Sequence, residues 1–185
     1  MRKLNGYDEV QVFTGDYETI RLGGHVCKVI NVKIEETRTG KEMLVVAFDI
    51  EEGENKGFYQ RRFEQNKKNN TNAKYPGVYR LVLDDSNEIN VKSFKQFITS
   101  VENSNEGFKW TWEESHLVGK LFGGVFGREE FQANDGSYKF VTKLRWTRSI
   151  KNIEDVEAPN DKLINKNTSG SWDDMVPVSD NDMPF

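Results

Sequence analysis

The stretch of this chain with the greatest potential for chemistry runs from position 56 to position 80. It carries seven cations against the single acid Glu64, a local net charge of +6, and aromatic residues are interleaved with them. Cations can track the phosphates of a single strand of nucleic acid, and exposed rings can stack on its bases at about 1–3 kcal/mol per base. The stretch therefore predicts a surface for a single strand. Its cations and rings are Lys56, Phe58, Tyr59, Arg61, Arg62, Phe63, Lys67, Lys68, Lys74, Tyr75, Tyr79 and Arg80.

Two further groups of cations extend this surface. In residues 138–146, three cations share one face of an alternating pattern with Val141, and the apolar residues opposite are interpreted as core: Tyr138, Phe140, Leu144 and Trp146. Two more cations lie in or beside a turn at 37–40. The alternative interpretation is a solvated basic face over aromatic core. The predicted nucleic-acid-binding residues are Arg38, Lys41, Phe58, Tyr59, Arg61, Arg62, Lys67, Lys68, Lys74, Tyr75, Tyr79, Arg80, Lys139, Lys143 and Arg145.

The sequence lacks the residues of common catalytic and metal sites. It contains no phosphate-binding G-x-x-x-x-G-K-[ST], no G-x-S-x-G and no H-E-x-x-H. His25 and His116 are isolated, and with the single Cys27 they cannot form a Cys/His zinc site. We therefore expect a protein that is not an enzyme and that uses no cofactor and no metal.

The charge of the chain is divided unevenly. Residues 151–185 carry eight acids against three lysines, a net of −5, which leaves 23 basic and 22 acidic residues, a net of +1, in residues 1–150. The chain ends on a ring with its own carboxylate, which suits a hydrophobic pocket with a basic rim. The alternative is an ordinary frayed terminus. The predicted partner-binding tip comprises Asp180, Asp182, Met183, Pro184 and Phe185.

Alternation with a period of two predicts three strands in succession. In the first, which opens at Gly23-Gly24, four apolar residues are expected to share a face: Val26, Ile30, Val32 and Ile34. In the second the inward residues are Leu44, Val46, Phe48 and Ile50. The third is predicted over residues 57–63, followed by a polar insertion or loop over 64–77, and residues 78–83 fit either a short strand or a helix.

A helix and a hairpin complete the predicted body. Asn90 is predicted to cap a helix whose apolar residues recur at i, i+3, i+4 and i+7: Phe94, Phe97, Ile98 and Val101. Strands over 117–131 and 138–146 are joined by Asn134-Asp135-Gly136, a strong hairpin signal. The body is thus mainly β, an α+β chain. Three strands, a helix and a hairpin are the layout of the five-stranded OB-fold, a Greek-key barrel with its helix between strands 3 and 4.

Composition sets the domain boundaries. We expect a weakly structured lead-in over 1–22, the OB-fold domain over 23–150, and a disordered acidic tail over 151–185, because the polar residues from 159 to 182 cannot bury enough apolar surface to fold. No apolar run approaches the roughly 18 residues of a membrane span and no signal peptide is recognisable. A cytoplasmic protein is therefore expected.

The terminal Asp182-Met183-Pro184-Phe185 resembles the tip of bacterial single-stranded-DNA-binding proteins, which end in acids followed by an aliphatic residue, Pro and Phe. The order of the body, with Arg-Thr-Gly-Lys at 38–41 between the first two strands, is similar to small OB-type replication proteins of phages that infect Gram-positive bacteria. This resemblance implies a barrel that coats single-stranded DNA and a tail that recruits replication or recombination enzymes.

Other functions fit the same sequence. One is a phage strand-annealing recombination protein, and another is a protein–protein adaptor whose OB-like barrel never meets DNA. The strand edges of the predicted barrel also leave a homo-oligomer, dimer or tetramer, open.

Overall fold

The computed structural model describes residues 18–164. Five strands form one antiparallel sheet in the order β3-β2-β1-β4-β5, and two α-helices accompany it. Among the described residues no ladder joins β3 to β5, so the sheet is open. The elements are β1 (Gly23–Glu36), β2 (Glu42–Ile50), α1 (Phe58–Asn69), β3 (Val78–Leu83), α2 (Glu88–Ser104), β4 (Leu121–Gln132) and β5 (Tyr138–Arg148), with short 3-10 helices at Glu114–Leu117 and Ile153–Asp155.

The inner face of the sheet carries the main core. The four apolar residues predicted to point inward from β2 are all buried there, which confirms that prediction. On β1 the prediction of a single apolar face is wrong, because the register against β2 shifts between Val29 and Asn31. This bulge leaves Ile30 43% exposed, while Val29 and Val32 face the core. Val26 lies on the outer face, in a second small cluster.

The predicted third strand over 57–63 is instead the first turns of α1, and the predicted loop over 64–77 begins as helix. The N-terminus of α1 is held by Asp49 of β2, whose carboxylate accepts the backbone N–H groups of Tyr59 and Gln60, both at 2.9 Å. These are orphan donors of the first helical turn, so a buried acceptor stabilises the helix there. Local alternation could not reveal a cap supplied from a neighbouring strand.

Residues 78–83, for which the sequence fitted either a strand or a helix, form β3. This strand pairs with β2 in the position expected for the third strand. α2 therefore does lie between the third and fourth strands. Its N-cap is Asn87 rather than Asn90, with the Asn87 side chain accepting from two backbone N–H groups of the first turn. The apolar stripe buries Phe97, Ile98 and Val101, and the helix packs against β3, β4 and β5.

β4 and β5 form the predicted hairpin, and Gly136 in its turn has a φ of +80°. β4 begins at Leu121 rather than 117, because residues 114–117 form a 3-10 helix. The register between the strands shifts where Val125 faces Trp146 but Phe126 faces Leu144. Arg145 is thus the extra residue of a β-bulge.

In residues 151–164, predicted as disordered tail, the 3-10 helix packs on the outer side of the sheet and Lys162 forms a bridge at the free edge of β4. Ile153 is 1% exposed and joins Val26 and Val125 in the second cluster. A Cβ at Gly24 would collide with the carbonyl of Ile153, so the 3-10 helix lies directly on the β1 backbone. The predicted lead-in also contributes to the core, since Ile20 is buried. The partner-binding tip, residues 180–185, and residues 1–17 lie outside the described part of the chain.

Neither α-helix among residues 18–164 has the length and apolar character needed to cross a bilayer.

Candidate nucleic-acid interface

Two of the rings predicted to stack on bases are part of the core. Phe58 is 4% exposed and Tyr59 is 8% exposed. Their rings pack edge-on against each other at 5.2 Å, and the Tyr59 ring packs against Phe48 of β2 at 5.3 Å. A base cannot reach either ring in the folded protein, so their assignment as stacking residues is wrong.

The other rings of residues 56–80 also contact protein. Tyr79 of β3 packs against Phe97 of α2 at 6.0 Å between ring centres, and burial raises the pKa of its hydroxyl. Tyr75 packs against Phe63 at 5.5 Å and against the main core. Both tyrosines are only partly exposed, and they serve to seat α1 and β3 rather than to present a flat free surface.

The cations of this stretch do reach the surface, but no freely exposed ring accompanies them. Arg62 and Lys67 lie over rings of their own helix, 5.9 Å from the centre of Phe58 and 5.7 Å from that of Phe63. Arg61 forms an ion pair with Glu18. The remaining predicted cations are exposed: Lys68 at the end of α1, Lys74 in the following loop, and Arg80 on β3.

The two cations near the β1–β2 turn differ from each other. Arg38 is exposed in the turn. Lys41 pairs with Asp84 after β3, and its ammonium, with help from the Ser86 hydroxyl, lowers the pKa of that carboxyl to about 2. Lys41 therefore ties the first hairpin to the β3–α2 connection.

β5 brings cations and rings together. Its register places Lys139, Val141 and Lys143 on the outer face, as predicted. The bulge at Arg145 then reverses the alternation, so Trp146 stands opposite Val125 on this same outer face and is 37% exposed. The prediction that Trp146 is core is wrong, because the pattern assumed an unbroken strand. Seven residues of strand, about 23 Å, separate Trp146 from Lys139.

The inner face of the hairpin's outer half is partly exposed in the part of the chain that the structure describes. Tyr138 is 44% exposed and Phe140 is 45% exposed, although both were predicted as core. The ladder between β1 and β4 ends at Phe126, so this part of the hairpin extends beyond β1. Leu144, opposite Phe126, still reaches the main core. Arg128 lies 5.3 Å above the centre of the Phe140 ring.

Acidic side chains partly neutralise the outer face. Glu129 has Arg145 at 3.4 Å, Lys162 at 3.5 Å and Lys143 at 3.6 Å. Lys139 pairs with Asp135 of the turn at 3.6 Å. Four cations against two acids leave this face with a net of +2. The cations and rings on the two faces of the hairpin are hereafter called the hairpin surface: Arg128, Tyr138 and Phe140 on the inner face, and Lys139, Lys143, Arg145 and Trp146 on the outer face.

Sequence reasoning missed the rings of the hairpin surface and Arg128. One available signal was the length of the strands predicted over 117–131 and 138–146, because a small core cannot cover strands of this length along their whole extent. A second missed feature lies elsewhere: Trp112 is 80% exposed, has a φ of +62° and stacks on Phe94 at 6.1 Å. A positive φ is uncommon for a bulky residue.

No protein-family model matches this chain, and no curated protein is found that matches it.

Proposed function

We propose that this chain is a single-stranded-DNA-binding protein without sequence preference, acting in DNA replication or recombination. One observation carries the proposal: β5 carries exposed rings beside cations on both faces, Trp146 with Lys139 and Lys143 on the outer face, and Tyr138 and Phe140 with Arg128 on the inner face. Ring stacking tolerates any base, and the cations neutralise the backbone. The hairpin surface takes over the role that the sequence had assigned to residues 56–80.

The strand order supports an OB-type body. In β3-β2-β1-β4-β5, every neighbouring pair of a five-stranded OB barrel is present except the one that would join the third strand to the fifth. α2 lies between β3 and β4 in the chain. It packs against β3 and β5, which are the two edge strands of the open sheet. An OB barrel opened between these strands accounts for both features.

The acidic tip supports a second role. We propose that Phe185 enters a pocket of a replication or recombination enzyme, its carboxylate meets a basic side chain, and Asp180 and Asp182 meet a basic rim. The proposed setting is the cytoplasm of a bacterial cell, for a chain encoded by the cell or by a phage. This part rests on the resemblance of the tip alone.

A fluorescence titration with poly(dT) at two salt concentrations tests the DNA-binding proposal. Phosphate contacts predict that log K falls linearly with log salt, with a slope of about −0.7 per contact for single strands. Trp146→Phe keeps a stacking ring and should retain affinity while losing most of the quenching. Absence of salt-dependent binding would contradict the proposal and favour the adaptor alternative. Faster renaturation of complementary oligonucleotides would identify an annealing protein.

A further inference from the structure

Arg128 of β4 makes a two-point ion pair with Asp161 on the inner side of the hairpin. Its Nε lies 2.9 Å from Oδ1 and its Nη2 lies 2.7 Å from Oδ2, and both side chains remain partly exposed. The same guanidinium lies over the Phe140 ring. Arg128 is thus held between a carboxylate and an aromatic ring.

Asp161 is brought there by the last described residues of the chain, 159–164, hereafter called the strap. Lys162 donates its N–H to the carbonyl of Arg128 at 2.9 Å, and its own carbonyl accepts from the N–H of Glu130 at 2.8 Å. These bonds form a short parallel bridge on the edge of β4 that β1 leaves free beyond Phe126. The register of the bridge puts Asp161 beside Arg128.

The packing of the strap is specific. A Cβ at Gly127 would collide with the ring of Pro159, so the strap lies directly on the β4 backbone. Lys162 reaches Glu129 on the outer face, while the backbone N–H of Ile164 donates to the Glu130 carboxylate at 3.1 Å. Backbone hydrogen bonds and ion pairs therefore hold the strap on the free edge of β4.

We infer that Arg128 is a phosphate-binding residue for the single strand and that Asp161 occupies its place in the free protein, an inference that rests on the proposed function. A guanidinium fork that matches a carboxylate also matches a phosphate. Phe140 and Tyr138 follow on the same face of β5, so a phosphate at Arg128 leaves the neighbouring bases beside two exposed rings.

Binding at Arg128 then competes with the strap. An exposed ion pair contributes little to stability, so a strand of phosphates can displace Asp161 at small cost. Residues 165–185 continue directly from the strap. Occupation of Arg128 by DNA therefore removes one of the contacts that hold the strap, and loosens the point from which these residues leave the hairpin.

The test is a double-mutant cycle on the full chain, titrated with oligo(dT) at low salt. Asp161→Asn should bind about two- to fivefold more tightly than the wild type, the range that an exposed ion pair contributes. Arg128→Gln should bind more weakly, with a salt slope closer to zero by about 0.7. In the double variant the gain from Asp161→Asn should vanish.

Asp155→Asn is the matched control, because Asp155 is exposed in the neighbouring 3-10 helix and its loss changes the net charge equally. Equal tightening by Asp155→Asn, or a gain from Asp161→Asn that persists without Arg128, would overturn the inference while leaving the proposed function intact. A wild-type chain that does not bind oligo(dT) would overturn both. Hydrogen exchange gives an independent readout: oligo(dT) should speed exchange of the Lys162 and Glu130 amides, and unchanged protection would contradict the loosening of the strap.

Discussion

Residues 56–80 and the β4–β5 hairpin both interleave cations with rings, yet the fold treats them in opposite ways. In the first stretch Phe58 and Tyr59 are buried, and the partly exposed rings contact other rings. In the hairpin, Tyr138, Phe140 and Trp146 are each more than a third exposed. The same composition therefore gives a helix that closes the core in one region and an open surface in the other.

The difference comes from what lies across from each ring. α1 is capped by Asp49 and packs against β2, so Tyr59 of its first turn meets Phe48 and Phe58 packs on Tyr59. The hairpin extends past the end of the β1 ladder, and Tyr138 and Phe140 on the inner face of this part remain 44% and 45% exposed. Composition thus indicates the chemistry a segment can offer, but neighbouring elements decide whether that chemistry is accessible.

The largest expected effect is on stability, in the buried region. Phe58→Ala should lower the free energy of unfolding by about 3–5 kcal/mol, because it removes a buried ring from the core. DNA affinity, measured under conditions where the variant remains folded, should not change. Urea denaturation measures the stability of the variant, and a poly(dT) titration measures its DNA affinity. Normal stability with weakened DNA binding would mean that this helix, and not the hairpin, meets the strand.

Trp146→Ala should have the opposite signature. Loss of a stacking ring is expected to weaken binding to poly(dT) by about 1–3 kcal/mol, roughly 5- to 150-fold. Because the ring is partly exposed, the urea midpoint should move little. The matched control is Trp112→Ala, which removes a more exposed tryptophan from another surface. Equal losses of affinity in the two variants would break the assignment of the site to the hairpin.

Salt dependence compares the cations of the two regions directly. If Lys143 contacts a phosphate, Lys143→Gln should bring the slope of log K against log salt closer to zero by about 0.7. Lys68→Gln and Lys74→Gln, in the other region, should leave the slope unchanged. A change of similar size from either of these would extend the interface to the end of α1. Lys92→Gln, on the exposed side of α2, serves as the control.

The smallest effect is a pH dependence of stability at the base of the hairpin. His25 is buried against Phe126, and its Nε2–H donates to the carbonyl of Arg21 at 2.6 Å. Burial lowers its pKa below the ordinary value of about 6.5. The unfolded chain therefore binds the proton more readily, so stability should be complete above that value and decline as pH falls through the folded pKa.

Urea midpoints above and below that pH measure this decline, and His25→Gln should reduce it. An equal decline in the His25→Gln variant would assign the effect to other groups. DNA affinity should be the same in the wild type and in His25→Gln wherever both are folded, because His25 faces the core.

The sequence predicted best where a local pattern agreed with its surroundings. The inward face of β2, the stripe of α2 and the hairpin turn were correct, since each depends on alternation, helical spacing or a turn residue alone. The faces of β1 and β5 were wrong at bulges, which insert one residue and reverse every assignment beyond it. α1 was mistaken for a strand because its cap comes from Asp49 on another element.

By itself the sequence determined a mainly β body with helix and hairpin, the uneven division of charge, and the pairing of cations with rings. These follow from composition and local periodicity. Only the tertiary structure decided which rings are exposed, because exposure depends on where the β1 ladder ends and on the bulge at Arg145. It alone placed Asp161 on Arg128, through a bridge between residues 33 positions apart that no local spacing encodes.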